Sequence, residues 1–205
     1  RQVINPIRLS VGAGVHAAAC VDAIESQGNY EIEGFIGRPS EVGQTCLGYP
    51  VLGSDRDLEE FVGKVGFALV AVGGLSDPQT RIALIEKVER VGFKAPTVIA
   101  ETAYLSESVS VGKGAVIMHG VVVNARAKIG DHTIINTKAL IEHDSVIANY
   151  CHMSTGVIIN GGVSVGRASF VGSGTIVREG VVIGENCFVG MGQSIVENIP
   201  SNARR

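Results

Sequence analysis

The 205 residues carry a net charge of -3, with 45% hydrophobic and 5% aromatic residues, 27 glycines and no tryptophan. That balance excludes a general attraction for nucleic acid or anionic lipid, and no apolar run approaches the ~18 residues needed to span a membrane. Abundant glycine and scarce aromatics suit thin repeated coils better than one bulky core, in a length that allows one large domain or two modest ones.

Elements then follow in chain order. Ile7 to Val11 reads as a short strand, Gly12-Ala13-Gly14 as a turn, and Val15 to Gln27 as a helix. A second strand is expected over Glu31 to Ile36, ending at Gly37, followed by a loop with Pro39, Gly43 and Gly48. A short strand at Pro50-Val51-Leu52 and a helix from Asp57 to Val62 come next. Phe67 to Val72 is a strand stopped by Gly73-Gly74. Asp77 to Val91 is an amphipathic helix, with Ile82, Ile85 and Val88 on one side, Glu86 and Arg90 on the other, and Gly92 as its stop. Ala95 to Ile99 leads onward. Strands alternating with helices predict a small parallel, three-layered, Rossmann-like α/β domain over residues 1–97.

From Leu105 the grammar changes. An aliphatic residue or Met occupies every sixth position through Val111, Ile117, Val123 and so on to Ile195, sixteen positions without a slip. Neither 3.6 nor 2 fits that period. The residue four places later is usually small (Ala115, Thr133, Ser145, Cys151), and Gly often follows the aliphatic, as at Gly112, Gly130 and Gly166. The pattern predicts a triangular parallel β-helix over residues 98–205, one repeat per side and 18 residues per coil. Its exposed coil ends and flat sides predict a homotrimer. Cys151 and Cys187 fall at the small inward position, Cys20 and Cys46 are scattered, and no spacing suggests a disulfide or zinc. No secretory pattern opens the given sequence, so the expected location is cytoplasmic. Further residues are expected before Arg1 and after Arg205.

Gly12-Ala13-Gly14-Val15-His16-Ala17 lies between a strand and a helix, where backbone N–H groups favour an anion. It is either a cradle for a phosphate-bearing ligand or a structural turn, and Gly73-Gly74 could border the same crevice. At the end of the second strand, where a dinucleotide site uses an acid, stand Gly37-Arg38. That argues against NAD and favours a nucleotide-linked sugar.

His143 lies two residues past an inward aliphatic, on an outer surface between Glu142 and Asp144, either of which can fix its tautomer. It is a candidate general base or a surface histidine packed on a neighbouring subunit. His152 is half a coil away, too far to meet it within one chain but able to do so across a threefold axis. It either bonds substrate, cofactor or His143, or simply packs. Asn136 is a structural ladder residue or holds the acceptor's reacting group. Gly161, one coil above His143, either offers its N–H to an oxyanion or serves a tight corner. His119 and His132 read as surface or packing residues, and no His, Cys and carboxylate trio has metal-site spacing, so no metal is expected.

These residues resemble a known family. Gly12-Ala13-Gly14-Val15-His16-Ala17, Gly34-Phe35-Ile36, Gly48-Tyr49-Pro50-Val51-Leu52-Gly53, Val72-Gly73 and Arg81 match the bacterial amino-sugar N-acetyltransferase and sialic acid O-acetyltransferase family. So do Ile135 through Asp144, His152-Met153-Ser154 and Gly161 through Gly166. The resemblance implies a left-handed β-helix after a Rossmann-like domain, acetyl-CoA as co-substrate, and active sites at the interfaces of a homotrimer. It implies that His143 is the base, that His152 contacts bound ligands, that Asn136 faces the acceptor's amine, and that Gly161 N–H receives the oxyanion. Acetyl-CoA would run past Gly161, Ser173 and Gly174, and the acceptor would lie by Gly12, Gly14, His16 and Gly73. The family's acidic pair after the second strand is replaced by Gly37-Arg38, so Arg38 could serve the carboxylate of sialic acid. The leading acceptor is a UDP-linked 4-amino sugar of surface glycan biosynthesis. The alternatives are O-acetylation of sialic acid or its nucleotide form, and a non-enzymatic scaffold or binding solenoid.

Overall fold

The computed structural model describes residues 7–11, 15–63, 66–73 and 77–205. It divides into two compact units that meet in sequence at Pro96 and Thr97.

The first unit is a small α/β domain. Strand β1 (Ile7–Val11) leads to helix α1 (Val15–Gln27), β2 (Phe35–Gly37), β3 (Thr45–Cys46), β4 (Tyr49–Ser54), α2 (Leu58–Val62), β5 (Phe67–Val70) and α3 (Pro78–Val91). The sheet order is β3-β4-β2-β1-β5. All pairs are parallel except β3 with β4. Within the parallel set the order reverses between β1 and β5, and a ligand site in an open α/β sheet forms at such a point, beyond the strands' carboxyl ends.

Three expectations need correction here. The second strand begins at Phe35 rather than Glu31, because β4 first pairs at Phe35↔Val51 and the exposed Glu31 and Glu33 precede that register. The strand at Pro50 is longer than its three residues and is one arm of a hairpin, the other arm being β3. Its two-residue turn puts Leu47 and Gly48 at φ 53° and 84°. Such turns need left-handed residues, and a Leu in that role hides the signal. The fifth strand stops at Val70, two residues short of Val72. Helix α3 follows its pattern: Asp77 Oδ1 accepts the Gln79 N–H at 3.0 Å, and Gly92 closes it at φ 111°.

The second unit is a parallel β-helix of three parallel sheets with six, five and six two-residue strands. Each strand pairs with the one 18 residues on, as in Ile135↔Met153 and Met153↔Val171. It starts at Val98–Ile99, within the expected span, where this strand pairs with Val116–Ile117 and Ile99 continues the six-residue period one side ahead of Leu105. From Ile117 to Ile195 every periodic aliphatic is buried, each burial contributing roughly 1.5–3 kcal/mol. Leu105 and Val111, on the first coil, are half-buried. The small inward residues solve a second problem. The hydroxyls of Thr133, Ser145, Ser169 and Thr175 each donate to the carbonyl 15 residues ahead at 2.8–3.0 Å, so no cost of an unpaired buried hydroxyl arises. Glycine after the aliphatic is a matter of coil spacing: a Cβ on Gly166 would come 2.6 Å from Glu185 N.

One rule of the coil shapes the chemistry below. The third residue after each periodic aliphatic lies in the left-handed region from Gly114 to Gly192, whether or not it is glycine. Arg126 (φ 61°), Asp144 (62°), Gly162 (67°) and Gly180 (70°) are successive members of one such column.

Candidate active site

The solenoid has three corners, and the sequence-selected residues divide between two of them. Glu142, His143, Asp144 and Gly161 lie on the first. His143 is 59% exposed, and its Nδ1 lies 2.8 Å from Asp144 Oδ2. Asp144 also receives Arg126 as a two-pronged donor, Nε to Oδ1 at 2.7 Å and Nη2 to Oδ2 at 2.8 Å. Arg126 first, then His143, hold the Asp144 carboxyl well below the usual carboxylate range. An ionised carboxylate only accepts, so Nδ1 carries a proton, and in the neutral ring Nε2 is the nitrogen with the free lone pair. Glu142 does not reach the ring; its carboxylate accepts the backbone N–H of His143 at 3.2 Å.

Gly161 lies against the imidazole. A Cβ built there would come 2.8 Å from Cε1 and 2.9 Å from Nε2 of His143. The backbone around it is fixed by coil contacts, Gly162 N–H donating to His143 O at 2.9 Å and Gly180 N–H to Gly161 O at 3.0 Å.

The second corner holds Asn136, Ser154, Ser173 and Gly174. Asn136 Oδ1 accepts the Thr137 N–H at 2.8 Å, while the Ser154 and Ser173 hydroxyls pair at 2.8 Å. Gly174 turns there at φ 68°. His152 is on the sheet that leads into this corner, 7% exposed and edge-on to Phe170 with centroids 5.3 Å apart. One chain therefore does not bring His143 together with His152, Asn136 or Ser173. His119 Nδ1 pairs with Thr102 Oγ1 at 2.9 Å, and the buried His132 stacks on Tyr150. Burial pushes the Cys151 thiol up to about 12, which leaves almost no thiolate near neutrality.

In the first unit, Gly12 and Gly14 lie outside the described residues. His16, on the first turn of α1, packs by Gly73, where a Cβ would stand 3.7 Å from its Cβ and Cγ. Both therefore sit beyond the carboxyl ends of β1 and β5. Burial, then the neighbouring charge of the buried Arg81, hold the His16 imidazole down at about 4. The folded form thus prefers neutral His16, a contribution to stability that is fully present above pH 6.5 and is lost as pH falls from there towards 4. The expected loss is roughly 3 kcal/mol. Urea unfolding followed at 222 nm reads this unit, since the helices lie in it; a wild-type loss that His16→Gln does not reduce would refute the assignment.

Arg38 is exposed at the end of β2, and its N–H donates to Glu41 Oε2 at 2.7 Å. A Cβ on Gly37 would come 2.7 Å from the same oxygen. The chain thus returns a carboxylate to the strand end that lacks one in sequence order. Pro39 opening a helical turn with Glu41 two places on was the readable trace of it. Arg126 was likewise missed, its only trace being the spacing of 18 to Asp144.

Comparison with known proteins agrees with this architecture. Residues 9–88 match the PglD N-terminal domain family. A crystal structure of a perosamine N-acetyltransferase variant from Caulobacter crescentus, in complex with CoA and GDP-perosamine, is 31% identical with a TM-score of 0.89, over 96% of this chain and 92% of that one. The acetyltransferase domain of PglB from Neisseria gonorrhoeae, in complex with acetyl coenzyme A, is 28% identical with a TM-score of 0.88, over 98% and 96%. WeeI from Acinetobacter baumannii shares the fold at 21% identity and a TM-score of 0.84, over 96% and 95%. Among the described residues no helix is long and apolar enough to cross a membrane. The chain belongs to the PglD-like sugar N-acetyltransferases, acetyl-CoA-dependent enzymes that join an N-terminal α/β domain to a left-handed β-helix of hexapeptide repeats.

Proposed function

We propose that this enzyme acetylates the amino group of a nucleotide-linked sugar for surface glycan biosynthesis in the cytoplasm, with a UDP-linked 4-amino sugar as acceptor. The observation that carries the reading is the exposed His143, its Nδ1 held by Asp144 and its Nε2 left as a base beside Gly161. His143 Nε2 takes the proton of the acceptor amine as that nitrogen attacks the thioester carbonyl of acetyl-CoA. The N–H of Gly161 receives the developing oxyanion, and collapse expels the CoA thiolate. Ser173 and Gly174 are assigned to acetyl-CoA, and Asn136 to the amine. Gly12, Gly14, His16 and Gly73 are assigned to the diphosphate, in the domain over residues 1–97, and Glu41 to the nucleoside. The solenoid domain, residues 98–205, carries the transfer.

The split of these residues between two corners supports a homotrimer, in which His152, Asn136 and Ser173 of one subunit face His143 of the next. Transfer is direct, because the Cys151 thiol is buried and protonated. Incubation with acetyl-CoA alone should therefore release no stoichiometric burst of thiol; a burst would overturn direct transfer. The acceptor follows from thiol release with a UDP-linked 4-amino sugar, its GDP-linked counterpart and free sialic acid. Turnover with the UDP sugar alone is expected. Preference for the GDP sugar, as the likeness to the perosamine enzyme allows, would overturn only the choice of base. Turnover with sialic acid alone would overturn N-acetylation and make Arg38 the residue to pair with the carboxylate.

A further inference from the structure

We infer that Arg126 is a positioning residue of the acetyl transfer, its fork clamping Asp144 so that the carboxylate fixes the proton-bearing nitrogen of His143. The inference rests on the reading of His143 as the base. Its ground is geometric. Arg126 and Asp144 occupy the same left-handed turn position on successive coils, so the two side chains rise from one column. Both Asp144 oxygens are engaged by the fork, and Oδ2 is shared with His143 Nδ1. A carboxylate held at two points cannot rotate away from the ring, whereas one held at a single point can. The base of Arg126 is itself fixed, its N–H donating to Ser108 Oγ at 3.0 Å.

A purely structural role fits poorly. Arg126 and Asp144 are 66% and 43% exposed, and surface ion pairs add little to stability. Glu142 is bound to the His143 backbone, and the adjoining Asn124, Ala125, Asn160 and Gly161 are uncharged. Arg178 and Glu179 lie two coils from the ring, about 10 Å away at ordinary strand spacing. Arg126 is thus the cation that meets Asp144.

The test pairs kinetics with the imidazole's own signature. In Arg126→Gln, kcat should fall roughly tenfold, as for loss of an outer-shell partner, with the KM for acetyl-CoA within about twofold of wild type. Nitrogen-15 spectra of His143 should change from a single Nδ1–H tautomer to a mixture. Arg126→Lys, which keeps the charge and one donor, should recover part of both. An unchanged tautomer in Arg126→Gln overturns the inference. A mixed tautomer with unchanged kcat overturns instead the assignment of His143 as the base.

Discussion

Replacing His143 with alanine is expected to lower kcat by roughly 10²–10⁴-fold, the range for loss of a positioned general base. The fold should survive. The ring is 59% exposed and outside the coil, so its removal opens no cavity among the inward aliphatics. It leaves Asp144 paired with Arg126, hence without a stranded charge. Binding of acetyl-CoA should persist, so the loss should fall on kcat rather than KM. Single-turnover transfer from acetyl-CoA to the amino sugar, with thermal unfolding as a control, measures both. Activity within tenfold of wild type would remove His143 from the mechanism. A scaffold or binding solenoid would show no turnover in the wild type at all.

Gly161→Ala is expected to cost roughly 10²-fold in kcat with little change in stability. The added methyl would stand 2.8–2.9 Å from the His143 ring, closer than packed atoms allow, so something must move. The ring is the far end of an exposed side chain and gives way more easily than the coil. Its displacement of about 1 Å is enough for a loss of that size. The amide of residue 161 is retained, so the substitution tests the room beside the base and not the oxyanion donor. Gly162→Ala makes the contrast. Nothing lies within 4 Å of its would-be Cβ, but φ is +67°, so it should cost roughly 1–2 kcal/mol of stability and little activity. Reversed outcomes for the two glycines would refute the steric reading.

The solenoid was legible because its pattern is set by a physical demand repeated every six residues: one side chain must fill a thin interior. The demand is so regular that it reaches back to Ile99, six residues before Leu105, at the start of the expected span. In the α/β domain, elements bounded by glycine or a cap could be read, namely α1, α2 and α3. The β3–β4 hairpin could not, since two-residue β3 has no period and Leu47 occupies a turn position usually announced by Gly or Asn. At the site, Asp144 was visible because it adjoins His143. Arg126, Phe170 beside His152, and Glu41 at the end of β2 were not, because their partners are neighbours in space at separations of 18, 18 and 4 residues. A linear reading weighs adjacent residues, whereas stacking couples residues one coil apart.

The left-handed turn column that carries Arg126 and Asp144 gives the site an unusual sensitivity to chain length. Adding or removing one residue between positions 126 and 144 would set Arg126 beneath the wrong neighbour, and doing so between 143 and 161 would carry Gly161 away from the ring. Adding eighteen residues beyond Gly180 would lengthen the prism by one storey and leave all four groups in register. Length variation in this enzyme is therefore tolerable in whole coils and ruinous in fractions of one.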